Sequence, residues 1–332
     1  MSYSVGEAVN RGDDKQKRPP MVAIVGPTGV GKTSLSLRLA AIVKGEIVSS
    51  DSRLFYLGLD IGTDKPSLAE RAKIPHHLVD ICRPDETVTL GMYQRLAYES
   101  IGQVHGSGHI PLLVGGTGQY IWAVIEGWGI PAVAPQPRMR EVLEKLGWIE
   151  LFRWLDYLDP VSANQIDPRN VRRMIRALEV TLVTGRPMSL VRSKNPPHLD
   201  IKIIGLTADR EYLYRKVDNR IDQMMLMGLL DEVTYLRLAG YSRQLPSMSG
   251  LGYRQLYAHL EDEVTLEEAV QRIKFETHRF IRQQNTWFKI DNPAINWFDI
   301  NSNGWEESAL DEIATWLQKR SKSNNKPEHD VI

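Results

Sequence analysis

The sequence predicts a doubly wound α/β fold carrying a helical insertion. Three observations predict it. Short apolar runs alternate with helical patterns through the first half of the chain. Residues 127–200 change to helical segments punctuated by proline at 131, 135 and 137. The chain then returns to an apolar run at 201–206. Alternation of this kind is what a parallel sheet covered by helices on both faces requires.

The strands come first. Residues 21–25 (MVAIV), 46–49 (EIVS), 78–81 (LVDI), 110–114 (IPLLV) and 201–206 (IKIIGL) are short, rich in Val, Ile and Leu, and bounded by Gly, Pro or charge. Strands buried on both faces read this way because neither face needs polar residues. Helical stretches over 32–44 and 89–105 lie between them. In the insertion, helices are expected near 137–147, 148–156, 160–166 and 170–184. The last of these stops at Gly185 with Pro187 behind it, a glycine stop followed by a residue that cannot continue a helix. Two long amphipathic helices follow. Leu213, Val217, Ile221, Met224, Leu229, Val233 and Leu236 mark the face of one. Leu266, Val270, Ile273, Phe280, Ile281 and Trp287 mark the other. The domain reading is a core of residues 21–126 and 201–319 around a helical insertion at 127–200. Polar ends at 1–20 and 320–332 are expected to be disordered.

Composition narrows the function. Of 332 residues, 42% are hydrophobic, enough for a sizeable core. Lys plus Arg (41) balances Asp plus Glu (41), which excludes a uniformly basic nucleic-acid binder but leaves room for a local basic patch. Cys82 is the single cysteine, so a disulfide framework and a Cys-based zinc finger are excluded, and a reducing compartment is expected. No apolar run of membrane-spanning length occurs, and residues 1–20 lack a signal-peptide core. The expectation is a cytoplasmic protein with no membrane partner.

The strongest motif is GPTGVGKT, residues Gly26, Pro27, Thr28, Gly29, Val30, Gly31, Lys32 and Thr33. It matches G-x-x-x-x-G-K-[ST] and sits between a predicted strand and a predicted helix, the context that gives the motif meaning. Glycines let backbone N–H groups face a phosphate, Lys32 adds a mobile charge, and Thr33 stands where a hydroxyl holds Mg²⁺. The fold class thus becomes P-loop NTPase-like. Such a loop serves ATP and other nucleotides, in kinases and hydrolases, and equally an enzyme that binds another diphosphate. The strand at 110–114 runs into Gly115-Gly116-Thr117-Gly118 with no acid. The acid instead follows strand 46–49, in Ser50-Asp51-Ser52-Arg53. At the C-terminal edge of a parallel strand, Asp51 is a metal ligand, a general base or a helix N-cap.

Taken in order, the motifs carry a resemblance. GPTGVGKT, SSDSR with Tyr56, LDIGTDKP at 59–66, PHHLVDI at 75–81, PLLVGGTGQY at 111–120, RRMIRALEV at 172–180, the Gly228 helix, GLGYRQL at 250–256 and QNTWF at 284–288 together resemble the tRNA dimethylallyltransferases, over roughly residues 21–290. The resemblance implies transfer of a dimethylallyl group from dimethylallyl diphosphate to the exocyclic amine of the adenosine 3′ to the anticodon. It implies that the loop 26–33, with Thr28, Lys32, Mg²⁺ on Thr33 and Arg220, holds the diphosphate. Asp51 would accept the amine proton, and Thr117 would contact the diphosphate or the incoming base. The tRNA anticodon stem-loop would meet Asp51, Ser52, Arg53, Leu54, Thr117, Arg140, Arg172, Arg173, Arg176 and the run Ser249, Gly250, Leu251, Gly252, Tyr253, Arg254. A bacterial-type monomer without a zinc finger is implied.

The residues add their own support for RNA. Residues 164–194 carry seven basic side chains (169, 172, 173, 176, 186, 192, 194) against Asp167 and Glu179. Residues 271–290 carry five (272, 274, 279, 282, 289) against Glu276. Local surpluses on a neutral protein suit phosphate contacts. Leu54 stands where many relatives carry Gln, which replaces a hydrogen-bonding side chain with one that only packs. Likewise Arg169-Asn170 replaces a more usual Asn-Asp, and Arg282-Gln283-Gln284 replaces Lys-Arg-Gln.

Overall fold

The structure is a computed structural model that describes residues 18–324, with side chains through Arg320. In chain order the elements are β1 (Pro20–Val25), α1 (Lys32–Val43), β2 (Gly45–Ser49), α2 (Leu68–Lys73), β3 (His76–His77), α3 (Leu90–Gly106), β4 (Ile110–Val114) and α4 (Gly118–Ile125). Next come α5 (Pro137–Lys145), α6 (Gly147–Leu158), α7 (Pro160–Gln165), α8 (Val171–Thr184) and α9 (Met188–Val191). The chain ends with β5 (Asp200–Thr207), α10 (Arg210–Leu226), α11 (Leu229–Leu238), α12 (Tyr253–Leu260), α13 (Leu266–Gln284), β6 (Ile295–Asp299) and α14 (Trp305–Asn324).

The sheet has six strands in the order β3-β2-β4-β1-β5-β6. Every pair is parallel. β1 is central, and all strands deliver their C-terminal ends to one edge, where a doubly wound sheet binds ligands. Val22, Ile24, Ile47, Leu112 and Ile204 pack with Leu35 and Leu39 of α1 and Val217 of α10 in one buried cluster.

The chain divides into two compact units. One comprises residues up to Val88, Leu96–Ile121 and the chain from His198 onward. The other comprises Thr89–Arg95 and Trp122–Pro197, where the sequence placed the insertion at 127–200. The second unit has its own core, built on Leu143, Leu151, Leu155, Met174 and Leu178.

Four details depart from the sequence reading. The strand expected at 78–81 lies instead at His76–His77, paired with Ile47 and Val48. Leu78 and Asp80 take positive φ of 62° and 56°. Asp80 is turned inward by charge: its carboxylate receives Lys65 Nζ at 2.5 Å and Arg71 at 2.7 Å. Lys65, with its side chain only 2% exposed, needs that partner more than the segment needs a ladder. The single helix expected through 213–236 breaks at Gly228, whose φ of 97° a helix cannot hold and a glycine can. Strand β6 was not foreseen. Among the described residues it pairs with β5 alone, and its sequence INWFD reads as an edge, with two of its five residues polar. Pro20 already belongs to β1, the Pro19 carbonyl accepts the Asp200 N–H at 2.9 Å, and α14 extends to Asn324; residues 1–17 and 325–332 of the expected disordered ends lie outside the described residues.

Candidate functional site

The loop after β1 folds as its glycines permit, with Gly26, Gly29 and Gly31 all at positive φ. It wraps the first turn of α1, whose N-terminal N–H groups have no partners within the helix. Lys32 bends back over the loop and donates from Nζ to the carbonyls of Gly26 (3.0 Å) and Pro27 (2.8 Å). Burial lowers its pKa to about 8. Asp51 acts against that shift and Arg220 adds to it. Both residues therefore stand close enough to be felt electrostatically. A cavity of about 970 Å³ opens beside the loop, lined among others by Thr28, Lys32, Thr33, Asp51, Thr117 and Arg220.

Asp51 ends the segment after β2 in an Asx turn: Oδ1 accepts the Arg53 N–H at 2.9 Å. Among the described residues Oδ2 has no protein partner. Asp51 is thus neither a helix cap nor an ion-pair member, and one oxygen is left for the cavity. Arg53 donates to the Pro246 carbonyl (2.7 Å) and to Ser249 Oγ (3.2 Å). It ties the 51–54 segment to the 246–254 segment, and Ser52, Leu54, Gly250, Leu251, Gly252 and Arg254 line the same cavity.

Thr117 opens α4, its carbonyl accepting from the N–H groups of Tyr120 and Ile121. Its hydroxyl has no partner among the described residues. The turn before it leaves no room for a side chain: a Cβ on Gly116 would lie 2.3 Å from Gln284 Nε2. Gln284, 2% exposed, bridges the two turns: Oε1 accepts the Thr28 N–H at 2.8 Å, and Nε2 donates to the Gly116 carbonyl at 3.0 Å. Sequence reasoning quoted Gln284 within a motif and assigned it no role. Nothing local signals that a residue 256 positions away will clamp the loop.

Arg220 donates from Nη1 to Asp64 at 2.9 Å, while its Nε is buried without a protein partner. The Arg220 side chain nonetheless lines the cavity, so its guanidinium charge stands beside the phosphate loop. Tyr253 is differently placed from the expectation of an RNA contact. It is fully buried, and its hydroxyl donates to Glu232 at 2.6 Å. Burial and that carboxylate push its pKa up. Glu232 also accepts the N–H groups of Asp60 (3.0 Å) and Ile61 (2.7 Å), so Tyr253 and Glu232 build the wall of the cavity. Arg254 pairs with Glu276.

The remaining expected RNA contacts lie in the second compact unit. Arg140 and Arg176 both bond the buried Glu179, at 2.7 and 2.6 Å. Burial alone would raise the Glu179 pKa, but hydrogen bonds from Arg140, the Gln136 N–H and Arg176 outweigh it and hold it down at about 2. Arg172 and Arg173 are exposed on the same helix and have no ion-pair partner among the described residues.

Among the described residues there is no cluster of three or more His, Cys, Asp or Glu side chains fit to hold a metal ion. No helix among them is long and apolar enough to cross a membrane.

A parallel sheet, a phosphate loop after its central strand and a cavity at the strand ends define a P-loop protein. Comparison with known proteins narrows the class. The IPP transferase family profile matches residues 54–291. The tRNA dimethylallyltransferase of Thermomicrobium roseum is 43% identical over 317 residues, 94% of this chain and 96% of that protein. The tRNA dimethylallyltransferase of Roseiflexus castenholzii is 52% identical over 274 residues, 81% of this chain and 90% of that protein. Among solved structures, the full-length tRNA isopentenylpyrophosphate transferase of Bacillus halodurans matches with a TM-score of 0.70 at 37% identity, covering 93% of this chain and 100% of that one. The chain belongs to the IPP transferase family, the tRNA-modifying prenyltransferases on a P-loop-like fold.

Proposed function

We propose that this enzyme transfers a dimethylallyl group from dimethylallyl diphosphate to the exocyclic N6 amine of the adenosine 3′ to the anticodon of tRNA. The transfer itself is the activity named for its relatives. The observation that carries the chemistry is the meeting, in one cavity, of an anion cradle and a carboxylate with a free oxygen. In this reading the amine nitrogen attacks the first prenyl carbon as the carbon–oxygen bond to the diphosphate breaks. Loop N–H groups, Lys32 and the guanidinium of Arg220 take up the charge that develops on the leaving diphosphate. Asp51 accepts the proton from the attacking amine, and Thr117 positions the base or the diphosphate. The target base must leave the anticodon-loop stack to enter the cavity.

Mg²⁺ fits this site. Thr33 is exposed on the first turn of α1 and lines the cavity together with Asp51. A hard cation bound chiefly through diphosphate oxygens needs only one or two protein oxygens. When bound it would neutralise diphosphate charge. The same loop accommodates ATP phosphates, but β4 ends in Gly115-Gly116 rather than an acid. Saturable binding of dimethylallyl diphosphate without appreciable ATP hydrolysis is therefore expected. The enzyme is proposed to act as a cytoplasmic monomer on the anticodon stem-loop.

The test is mass spectrometry of tRNA incubated with the protein, dimethylallyl diphosphate and Mg²⁺. A single adenosine beside the anticodon should gain one dimethylallyl group. Robust ATP turnover with no diphosphate binding would instead indicate a kinase.

A further inference from the structure

α13 shows two different faces. Ala269, Ile273, Thr277, Ile281 and Gln284 are buried. On the outer side Arg272, Phe275, Arg279, Arg282 and Thr286 follow at spacings of three and four, so they form one stripe, and all are exposed. Phe275 is 65% exposed. A large aromatic ring left in water in the middle of an arginine row gains nothing from folding.

The surroundings say what would cover it. Glu276, the acid within 271–290, is engaged by Arg254 and by Gln255 at 2.9 Å. Lys274 is paired with Asp222. Arg272 and Arg279 have neither an ion-pair nor a hydrogen-bond partner among the described residues. The stripe is therefore positive in net effect. Phe275, Arg279, Arg282, Gln283 and Thr286 line a shallow groove of about 410 Å³. Arg279 and Gln283 also line the cavity that holds Asp51 and the phosphate loop, so the groove continues directly from the reaction site. An aromatic platform flanked by unpaired arginines is the chemistry that recognises single-stranded nucleic acid: the base stacks, and the guanidinium groups take the phosphates.

We infer that this groove is a nucleotide subsite, in which a base of the RNA substrate next to the one being modified stacks on Phe275 while Arg279 and Arg272 hold its flanking phosphates. The inference rests on the proposed RNA substrate. Holding the neighbouring nucleotide outside the cavity would keep the target base from returning to its stack.

The experiment is fluorescence anisotropy with a labelled anticodon stem-loop, repeated over a range of salt concentrations. Phe275→Ala, which lies outside the cavity, should weaken binding by about 5- to 150-fold, with an unchanged salt slope, an unchanged affinity for dimethylallyl diphosphate and an unchanged melting temperature. Phe275→Tyr, which keeps the ring, should bind within about twofold of the parent. Arg279→Gln should lower the slope of log K against log salt by about 0.7. An RNA affinity of Phe275→Ala within twofold of the parent would overturn the subsite, and so would equal losses in the Ala and Tyr variants. If the parent protein prenylates the stem-loop while Phe275→Ala binds it normally, only the subsite fails. If the parent neither binds nor modifies the stem-loop, the RNA-modifying reading fails with it.

Discussion

The phosphate-loop unit and the helical unit each draw a charge away from water, Lys32 in part and Glu179 completely, and they treat it in opposite ways. In the helical unit, Glu179 has a side chain with 0% exposure and is met by two guanidinium groups and a backbone N–H. Its partners outweigh the cost of burial, and its pKa drops to about 2. In the phosphate-loop unit, Lys32 meets only two carbonyl oxygens. Burial wins there, and its pKa falls to about 8. A buried charge with complete partners belongs to the architecture. One left short of partners, in a cavity also lined by Arg220 and by Asp51 with a free oxygen, is held ready for something that arrives.

The contrast is breakable. If the under-partnered groups serve chemistry, their loss should cost rate and not folding. Asp51→Asn keeps size and the Asx turn but removes the base. Single-turnover prenyl transfer should slow by about 10²–10⁴-fold, with tRNA and donor affinities little changed. Transfer at the parent rate would mean that the proton leaves by water or the diphosphate. Lys32→Met keeps the length and removes the charge. A fall of about 10²–10³ in transfer rate is expected, the scale of losing one preorganised stabiliser of negative charge. Its melting temperature should hold or rise, because a half-buried charge with few partners has gone; a large drop would make Lys32 architectural.

Glu179→Gln should behave the other way round. Breaking a buried ion pair costs about 3–5 kcal/mol, and the lower end applies because Arg140 and Arg176 can reach solvent. Donor affinity should be untouched, and denaturant titration with calorimetry on the same sample separates the two effects.

The two groups should also respond to pH in different windows. Glu179 has a folded pKa below its unfolded value. Its contribution is therefore fully present above about 4.5 and lost as pH falls towards 2. The acid limb of the stability curve should shrink in Glu179→Gln. Lys32 must be protonated to meet a diphosphate, so donor affinity should fall as pH rises above about 8, by about tenfold per unit. A flat titration between pH 7 and 9 would contradict this. The smallest effect concerns Arg172 and Arg173. Replacing both by Ala should reduce the salt slope of tRNA binding by about 0.7 per lost phosphate contact. An unchanged slope would make them an ordinary solvated face. Arg176 is left out because its loss would also disturb Glu179.

Much of this was legible before any coordinates. GPTGVGKT is a local instruction: its glycines, lysine and threonine act within one turn, so position along the chain is position in space. Asp51 was legible for the same reason, since a residue just past a parallel strand must lie at the binding edge. The strand at 78–81 was misplaced because apolar character says nothing about the inward pull of Lys65 and Arg71 on Asp80. Arg140 and Arg176 read as exposed cations because Glu179, their buried partner, carries no sequence mark of burial.

By itself, then, the chain determined its strand–loop–helix phosphate cradle, the acid beside it and the helical character of 137–184, all of which depend on neighbours within a few residues. Only the tertiary structure decided that Gln284 would clamp Thr28 to Gly116, that β6 would pair beside β5, that Tyr253 would be a wall rather than a contact, and that Phe275 would stand uncovered beside the cavity. Each of these depends on the burial and partner of a side chain, which are set by residues tens to hundreds of positions distant and are nowhere encoded in the local pattern.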